Sequence, residues 1–139
     1  MASANIVVGT EIPCCRKLVT QDKIDLFEAT GIGQHDNIHN STEVATRTLR
    51  MSYPIASGRM SLSYMTEALR KFFGPDVFNH TGTLSVRNIR PVKAGDTITV
   101  HGQVKETRAH EKGTAVIVEI WCENQNGDKT TVGTGSAVI

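Results

Sequence analysis

The stretch from Pro54 to Gly74, PIASGRMSLSYMTEALRKFFG, constrains the fold of this chain more than any other. Its apolar residues recur every three or four positions, the spacing of one helix face, at Leu62, Met65, Leu69 and Phe72. Further apolar residues at Met60, Tyr64 and Phe73 leave little of the helix polar. Gly74 and Pro75 end it, because glycine accepts a left-handed cap and proline cannot continue a helix. The pattern predicts a long helix over Gly58–Phe73, buried at the centre of a domain.

Small residues stand at the entry to this helix, at Ala56, Ser57 and Gly58. The first backbone N–H groups of a helix have no partner within the helix, and the helix dipole adds a partial positive charge there. Both features suit a negative charge that develops during a reaction. We therefore expect the start of this helix to lie in an active site.

Four segments after the helix alternate between apolar and polar residues, as strands with one buried face do: Thr81–Ile89, Thr97–Lys105, Thr114–Glu123 and Thr130–Ile139. Asn126–Asp128 is a strong hairpin signal, and Pro91–Asp96 reads as a turn between the first two strands. A sheet of this kind must bury one face, and the apolar helix is the obvious partner. The sequence predicts an α+β domain in which a curved antiparallel sheet wraps one long helix, the hot-dog architecture.

The first half of the chain carries two shorter helices and a polar loop. Thr20 is a good N-cap, and Asp22 suits the first turn of a helix that stops at Gly31. A second helix is expected over Ser41–Arg50. The loop between them, GIGQHDNIHN, contains glycine and two histidines. Ahead of both helices, Glu11–Val19 is a plausible strand that Pro13 interrupts.

Length and charge exclude several classes of protein. The 139 residues are long enough for a real core and predict one domain over residues 1–139. Lys and Arg number 15 and Asp and Glu number 14, so the net charge of +1 argues against binding nucleic acid or a membrane surface through bulk charge. The first residues have no basic region and too short an apolar run for a signal peptide, and no segment is long enough to span a membrane.

The cysteines indicate a reducing compartment. Cys14, Cys15 and Cys122 are odd in number and two are adjacent, which makes a poor disulfide framework, and no zinc-binding spacing is present. We expect reduced thiols that serve as packing residues in a cytoplasmic protein.

The chain resembles the MaoC-like hydratase family, the (R)-specific enoyl-thioester hydratases, over nearly its whole length. The resemblance is carried by the loop around His39 and by the segments VGTEIP, VTQDKIDLFEATG, YPIASGRM, NIRPVKAGDTITVHGQV and ENQNGDKTTVGTGSAVI. RPVKAGDTI followed one strand later by NQNGD is quite specific to that family. The resemblance implies a single hot-dog domain, usually dimeric. Its substrates would be trans-2-enoyl or 3-hydroxyacyl thioesters of coenzyme A or acyl carrier protein, and no metal or redox cofactor would be needed.

The catalytic loop departs from the family pattern. The family reads Gly-Asp-any-Asn-Pro-any-His, with the Asp and His as catalytic pair, where this chain has Gly33–His39. His39 matches the catalytic histidine, but Gln34 occupies the aspartate position and cannot ionise, and Asp36 stands at the asparagine position. The resemblance implies that His39 acts as general base or acid, with Asp36 as a displaced partner and Gln34 positioning water. Asp36 is equally well explained as a helix cap or Asx turn.

The helix entry departs as well. The family usually reads Ile-Ala-His-Gly-Met, where this chain has Ile55–Arg59. Gly58 is retained, and the resemblance implies that the backbone of Ser57 and Gly58 binds the enolate oxygen. Arg59 replaces a methionine, and a cation is disfavoured at a helix N-terminus, so we expect an anion beside it. Asp36 or a substrate carboxylate could be that anion.

These residues together predict a lyase that hydrates or dehydrates an acyl thioester. Because the departures cluster where the chemistry belongs, a related isomerisation or cyclisation through an enolate is a second possibility. A third is a non-catalytic hot-dog subunit that binds an acyl chain or partners an active homologue. Gln34 favours that reading, and His39 and Gly58 oppose it. A metal site at His35, Asp36 and His39 is a weak alternative, since it lacks a fourth ligand.

Overall fold

The computed structural model describes residues 6–31 and 35–139. Within these residues the chain forms five strands, β1 (Cys15–Leu18), β2 (Thr83–Asn88), β3 (Thr97–His110), β4 (Gly113–Glu123) and β5 (Lys129–Val138). It also forms four helices, α1 (Gln21–Ala29), α2 (Thr42–Leu49), α3 (Gly58–Phe73) and α4 (Pro75–Thr81). One antiparallel sheet with helices on it confirms the predicted α+β class.

The central helix α3 begins and ends where the sequence predicts. Ser57 caps its first turn, and Gly74, with φ of 89°, ends it. Ser61 is the polar residue on its buried face, which otherwise consists of Met60, Met65, Ala68, Leu69, Phe72 and Phe73. Leu62, predicted on that face, is only half-buried, and Arg59 and Arg70 are exposed. The helix therefore buries a broad side rather than its whole circumference.

The sheet has the order β1-β3-β4-β5-β2, and every pair of neighbours is antiparallel. Its inner face meets α3 through a core that includes Ile98, Val100, Val104, Val118 and Ile120. Gly135 on β5 faces Leu69, where even a methyl group would overlap the leucine side chain. This close approach seats the helix deep against the sheet.

The short helices lie where the caps predict. The Thr20 hydroxyl accepts a hydrogen bond from Lys23 N at 3.2 Å, and Ser41 Oγ accepts from Val44 N at 3.3 Å. Arg50 ends α2 in the left-handed conformation, with φ of 57°. These two helices bracket the loop that carries His39.

Three local predictions need correction. Pro75 does more than end α3, because it occupies the first turn of α4, where its missing N–H costs nothing. The strand predicted over Glu11–Val19 is regular only over Cys15–Leu18, with an isolated bridge from Glu11 to Gln103 before it. Cys15 and Cys122 are buried as expected, but Cys14 is exposed and is not a packing residue.

Among the described residues no helix is long and apolar enough to cross a membrane.

Candidate active site

Hydrogen bonds at both ends of the His39 residue attach the loop to its neighbours. His39 N donates to Asn37 Oδ1 at 2.8 Å, and Gln21 Nε2 on α1 donates to the His39 carbonyl at 3.1 Å. Next to it, Ile55 N donates to the Ile38 carbonyl at 3.0 Å. The loop is thereby joined to α1 on one side and to the entry of α3 on the other.

The His39 ring has a defined orientation. Its Nδ1 lies 2.7 Å from the carbonyl oxygen of Ile55. A carbonyl can only accept, so Nδ1 carries the proton of this hydrogen bond. In the neutral ring, Nε2 then has a free lone pair and can accept a proton.

Glu28 is the carboxylate that faces this nitrogen. Its Oε1 lies 3.9 Å from His39 Nε2, and the two side chains are 20% and 21% exposed. That separation is too long for a hydrogen bond, but both groups line the same small pocket. The pair resembles the carboxylate and imidazole that acid–base chemistry requires.

The sequence contains a signal for Glu28, which sequence reasoning missed. Ile24 is fully buried, so α1 packs through that side, and Glu28 follows it by four residues on the same face of the helix. A carboxylate on a buried helix face is costly unless it is used or paired. Glu28 also falls inside VTQDKIDLFEATG, one of the segments that carry the family resemblance.

The start of α3 supplies hydrogen-bond donors. Ser57 is buried, and its hydroxyl accepts from Arg59 N at 3.2 Å, while its carbonyl accepts from Met60 N at 2.9 Å. The backbone N–H groups of Ser57 and Gly58 have no acceptor among the described residues. Two unpaired donors at the positive end of a helix form a site for an anionic oxygen.

Glycine is required at position 58 because the side chain of Asn88 lies directly against it. A methyl group on Gly58 would overlap the Asn88 side-chain amide, which is held in place because Asn88 Oδ1 accepts from Thr131 Oγ1 at 2.9 Å. Asn88 ends β2, so the edge of the sheet and the start of α3 meet at this point. Sequence reasoning retained Gly58 but did not identify Asn88 as part of the site.

Two pockets meet at His39 and Ser57, which line both. One, of about 360 Å³, also includes Phe27, Glu28 and Arg59. The other, of about 370 Å³, runs along Gly58, Asn88 and the turn after β2, and is more apolar. An extended ligand could therefore pass the Glu28–His39 pair and occupy both pockets.

The remaining predicted site residues are more distant or undescribed. Gln34 lies outside the described residues. Asp36 is exposed and has no ion pair within 4.0 Å with His39 or Arg59, although it lines a third pocket together with Glu28. Arg59 is exposed at the rim of the Glu28 pocket. In the part of the chain that the structure describes, no three His, Cys, Asp or Glu side chains are grouped so as to hold a metal ion.

Solved structures share this fold. The monoamine oxidase regulatory protein from Archaeoglobus fulgidus is 26% identical, with a TM-score of 0.79 over 96% of this chain and 90% of that one. The R-hydratase PhaJ1 from Pseudomonas aeruginosa is 24% identical, with a TM-score of 0.77 over 97% and 83%. The (R)-hydratase from A. caviae is 17% identical, with a TM-score of 0.79 over 99% of both chains.

The comparison with curated proteins gives no match. The sequence model of the MaoC-like domain, by contrast, matches residues 8–126, most of the 139-residue chain. That span contains α1, the His39 loop, all of α3 and the sheet as far as the hairpin after β4. This protein belongs to the MaoC-like domain family.

Proposed function

We propose that this protein is a hydro-lyase that hydrates a trans-2-enoyl thioester of coenzyme A or acyl carrier protein, or dehydrates the 3-hydroxyacyl thioester. The observation that carries the proposal is the Glu28–His39 pair beside the start of α3. Hydration needs a base for water, a proton source for the α-carbon and donors for the enolate oxygen. Membership of the MaoC-like domain family supports the same class of reaction.

His39 is the base and then the acid in this proposal. Because Nδ1 is bonded to the Ile55 carbonyl, Nε2 takes a proton from water as the water oxygen bonds to the β-carbon. The electrons of the double bond move to the thioester oxygen. The imidazolium then returns its proton to the α-carbon as the enolate collapses, so one water is added in all.

Glu28 holds the water and stabilises the imidazolium. A carboxylate close to a developing positive charge in a partly buried site lowers the energy of that charge. Glu28 would thus do from α1 what the family loop does with the aspartate that Gln34 replaces here. Gln34 keeps the role expected from the sequence, which is to position water, whereas the role of partner to His39 that was expected of Asp36 passes to Glu28.

The thioester would lie across Ser57, where the two pockets meet. Its carbonyl oxygen accepts from the N–H groups of Ser57 and Gly58 and gains negative charge as the enolate forms. The acyl group and the carrier arm then extend into opposite pockets. Arg59, at the rim of the Glu28 pocket, is suited to contact a carboxylate carried by the acyl group.

A two-fold dimer is part of the proposal. In the sheet formed by the described residues, β1 and β2 lie at the edges. Unpaired edges favour association, and closing them with a second copy satisfies their backbone groups. β2 ends at Asn88 beside the site, so this edge would bring a second copy close to the pocket.

The test is the hydration of crotonyl-coenzyme A, which is monitored as a loss of the enoyl absorbance. We expect His39→Gln and Glu28→Gln to lower kcat roughly 10²–10⁴-fold, since each removes a positioned acid–base group. Asp36→Asn is the matched control for charge in the loop and should lose far less than Glu28→Gln. Full activity of both His39→Gln and Glu28→Gln would contradict the assignment.

The same assay separates the alternatives. An isomerase or cyclase would consume the enoyl thioester without forming the 3-hydroxyacyl product, which chromatography detects. A non-catalytic subunit would leave short and long enoyl thioesters unchanged, as Gln34 alone would suggest. Binding without turnover, measured by calorimetry, would support that reading over a lyase.

A further inference from the structure

We propose that Cys14, His101 and Glu123 form a second reactive site, in which an activated thiol exchanges with small disulfides to form a mixed disulfide. These three residues lie on the outer face of the sheet, and none of them lines the pockets around His39. The proposal is independent of the hydro-lyase assignment.

The backbone register places the three side chains in a row. His101 on β3 lies opposite Trp121 on β4, and Glu123 is two residues further along β4, so it shares their face. The neighbouring positions Val100 and Cys122 point inward and are fully buried. His101 and Glu123 therefore face outward together.

A β-bulge turns Cys14 onto the same face. Ile12 N donates to the Gly102 carbonyl, and Cys15 pairs with Val100, so Pro13 and Cys14 together face His101 alone. Ile12 and Cys15 are both buried although they are three residues apart, which shows that the alternation is broken between them. Bulges of this kind redirect side chains and are frequent next to active sites.

The contacts form a relay from thiol to carboxylate. Cys14 Sγ lies 3.6 Å from His101 Nδ1, and His101 Nε2 lies 2.7 Å from Glu123 Oε2. The carboxylate accepts the proton on Nε2, so Nδ1 is left to accept from the thiol. Glu123 also stabilises the imidazolium that forms when the thiol gives up its proton. Because the thiol and the carboxylate contact opposite ring nitrogens, they cannot share a metal ion.

The surroundings give this thiol access and hold the histidine. Cys14 is exposed and opens on a cleft of about 190 Å³ that Glu11 and Trp121 also line. The Trp121 ring stacks on His101 with centroids 5.7 Å apart, and Lys129 Nζ covers Trp121 at 4.9 Å from its centroid. The other charged side chain on this face of β1 is Arg16, which is exposed.

The other two thiols serve as internal controls. Burial raises the pKa of Cys15, which also donates to Glu67, and burial raises the pKa of Cys122 to about 12. Neither is suited to act as a thiolate. We therefore expect the disulfide to react at Cys14 and not at Cys15 or Cys122.

The exchange balances without further reagents. The Cys14 sulfur attacks one sulfur of a disulfide RSSR, the S–S bond of the reagent breaks, and a new S–S bond joins Cys14 to one half. The other half leaves as a thiolate and takes the proton from the His101 imidazolium. Cys14 is oxidised, and one half of the disulfide is reduced to RSH.

The experiment uses dithiobis(nitrobenzoate), an aromatic disulfide whose leaving thiolate absorbs visible light. At about pH 6.5 an unassisted thiol is only about 1% ionised. Because His101→Gln removes the group that takes the proton of the thiol, we expect this variant to react at least about tenfold slower than the native chain. Glu123→Gln should be several-fold slower, and Cys14→Ser should lose the fast phase.

Matched variants separate this relay from general surface charge. His110→Gln removes an exposed imidazole from the end of β3, and Glu119→Gln removes an exposed carboxylate from the same face of β4. Both should react like the native chain. Trp121 is the only tryptophan, so a fluorescence change that accompanies the fast phase, and is lost in Cys14→Ser, locates the reaction.

A second disulfide tests the proposal in the native chain. Oxidised glutathione should then give one mixed disulfide, at Cys14, by peptide mass spectrometry. Equal rates in the native chain, His101→Gln and Glu123→Gln would overturn the proposal.

Discussion

His39 is held at three atoms, and each contact has its own consequence for the ring. The bonds at its backbone N and carbonyl fix the position of the residue between α1 and Asn37. The bond from Nδ1 to Ile55 sets the tautomer and points Nε2 towards Glu28. The ring is therefore held in one orientation, as the proposed acid–base role requires.

Gly58→Ala should damage activity more than stability. The new methyl group would displace Asn88 and weaken its hydrogen bond from Thr131, at a cost of about 1 kcal/mol. Alanine is more favourable than glycine in a helix by roughly 0.5–1 kcal/mol, so the two effects on the free energy of unfolding nearly cancel. We expect the urea midpoint to change little and kcat/KM on crotonyl-coenzyme A to fall at least about tenfold, because the donors at Ser57 and Gly58 must be well placed.

Asn88→Ala supplies the control for this prediction. If overlap with Asn88 is the cause, Gly58→Ala should cost less activity in the Asn88→Ala background than in the native one. An equal loss in both backgrounds would show that the methyl group acts elsewhere.

Arg59→Met should change substrate preference rather than stability. Arg59 is exposed and has no ion pair with Asp36, so a carboxylated acyl group is the better-supported partner. We expect the variant to lose selectivity for carboxylated over plain enoyl thioesters, seen as a lower ratio of the two kcat/KM values. A shifted pH–rate profile for every substrate, with the ratio unchanged, would instead indicate that Arg59 acts on Asp36 or Glu28.

At the scale of elements, a charged cluster ties β1 to α3. Lys17 Nζ on β1 lies 2.7 Å from Glu67 Oε2, and Lys71 Nζ, one turn along α3, lies 3.2 Å from Glu67 Oε1. Hydrogen bonds from Lys17 and then Cys15 lower the pKa of Glu67 from its ordinary 4.5 to about 2. The edge strand is thus joined to the central helix by charge as well as by packing.

Glu67→Gln should make the free energy of unfolding less dependent on pH in the acid range. A carboxylate whose pKa is lower in the folded than in the unfolded chain stabilises the fold above its ordinary pKa, and that contribution disappears as the pH falls from about 4.5 to about 2. Urea midpoints measured at about pH 7, 5 and 3 should therefore fall less steeply in the variant. The variant should also be less stable than the native chain at pH 7.

Glu43→Gln is the matched control. Glu43 pairs with Arg47 on α2 at 3.7 Å, but both side chains are largely exposed. Exposed ion pairs of this kind contribute little to stability, so the urea midpoint of this variant should fall with pH as it does in the native chain. Equal slopes in the native chain and Glu67→Gln would show that the cluster does not contribute to acid stability.

At the scale of the whole molecule, the two edges of the sheet are not equivalent. β1 is only four residues long and follows the bulge at Pro13 and Cys14, features that hinder pairing with another strand. β2 is a regular six-residue strand without proline. The edge at β2 is therefore the better one for a second copy.

We expect light scattering to give twice the 15.1 kDa mass of the chain at micromolar concentration. Hydrogen exchange should protect the amides of β2 beyond those bonded to β5, and this protection should weaken on dilution. The amides at the outer side of β1 serve as the comparison and should exchange quickly. A monomeric mass, or equal exchange at both edges, would contradict the dimer.

The sequence by itself determined most of the elements, although α4 and the bounds of β1 were found only in the structure. The apolar period of α3, its small-residue entry and Gly74 predicted the helix to the residue. Thr20 and Ser41 predicted the starts of α1 and α2 because their hydroxyl groups cap helices locally. Alternation predicted the four later strands. The two segments that are most specific to the family, around Asp96 and Gln125, also meet in space, because Gln125 Nε2 donates to Asp96 Oδ1 at 2.9 Å. All of these signals act over a few residues or were carried by the family resemblance.

Only the tertiary structure decided which side chains meet. The family resemblance pointed to Asp36 in the same loop as the partner of His39, but the carboxylate that faces His39 is Glu28 on α1. The same holds for Asn88 over Gly58 and for Cys14 beside His101, 87 positions away in the chain. Sequence periodicity tells which face of an element is buried, whereas the pairing of faces depends on how the sheet, its bulge and the central helix pack together, and that is set by the whole core at once.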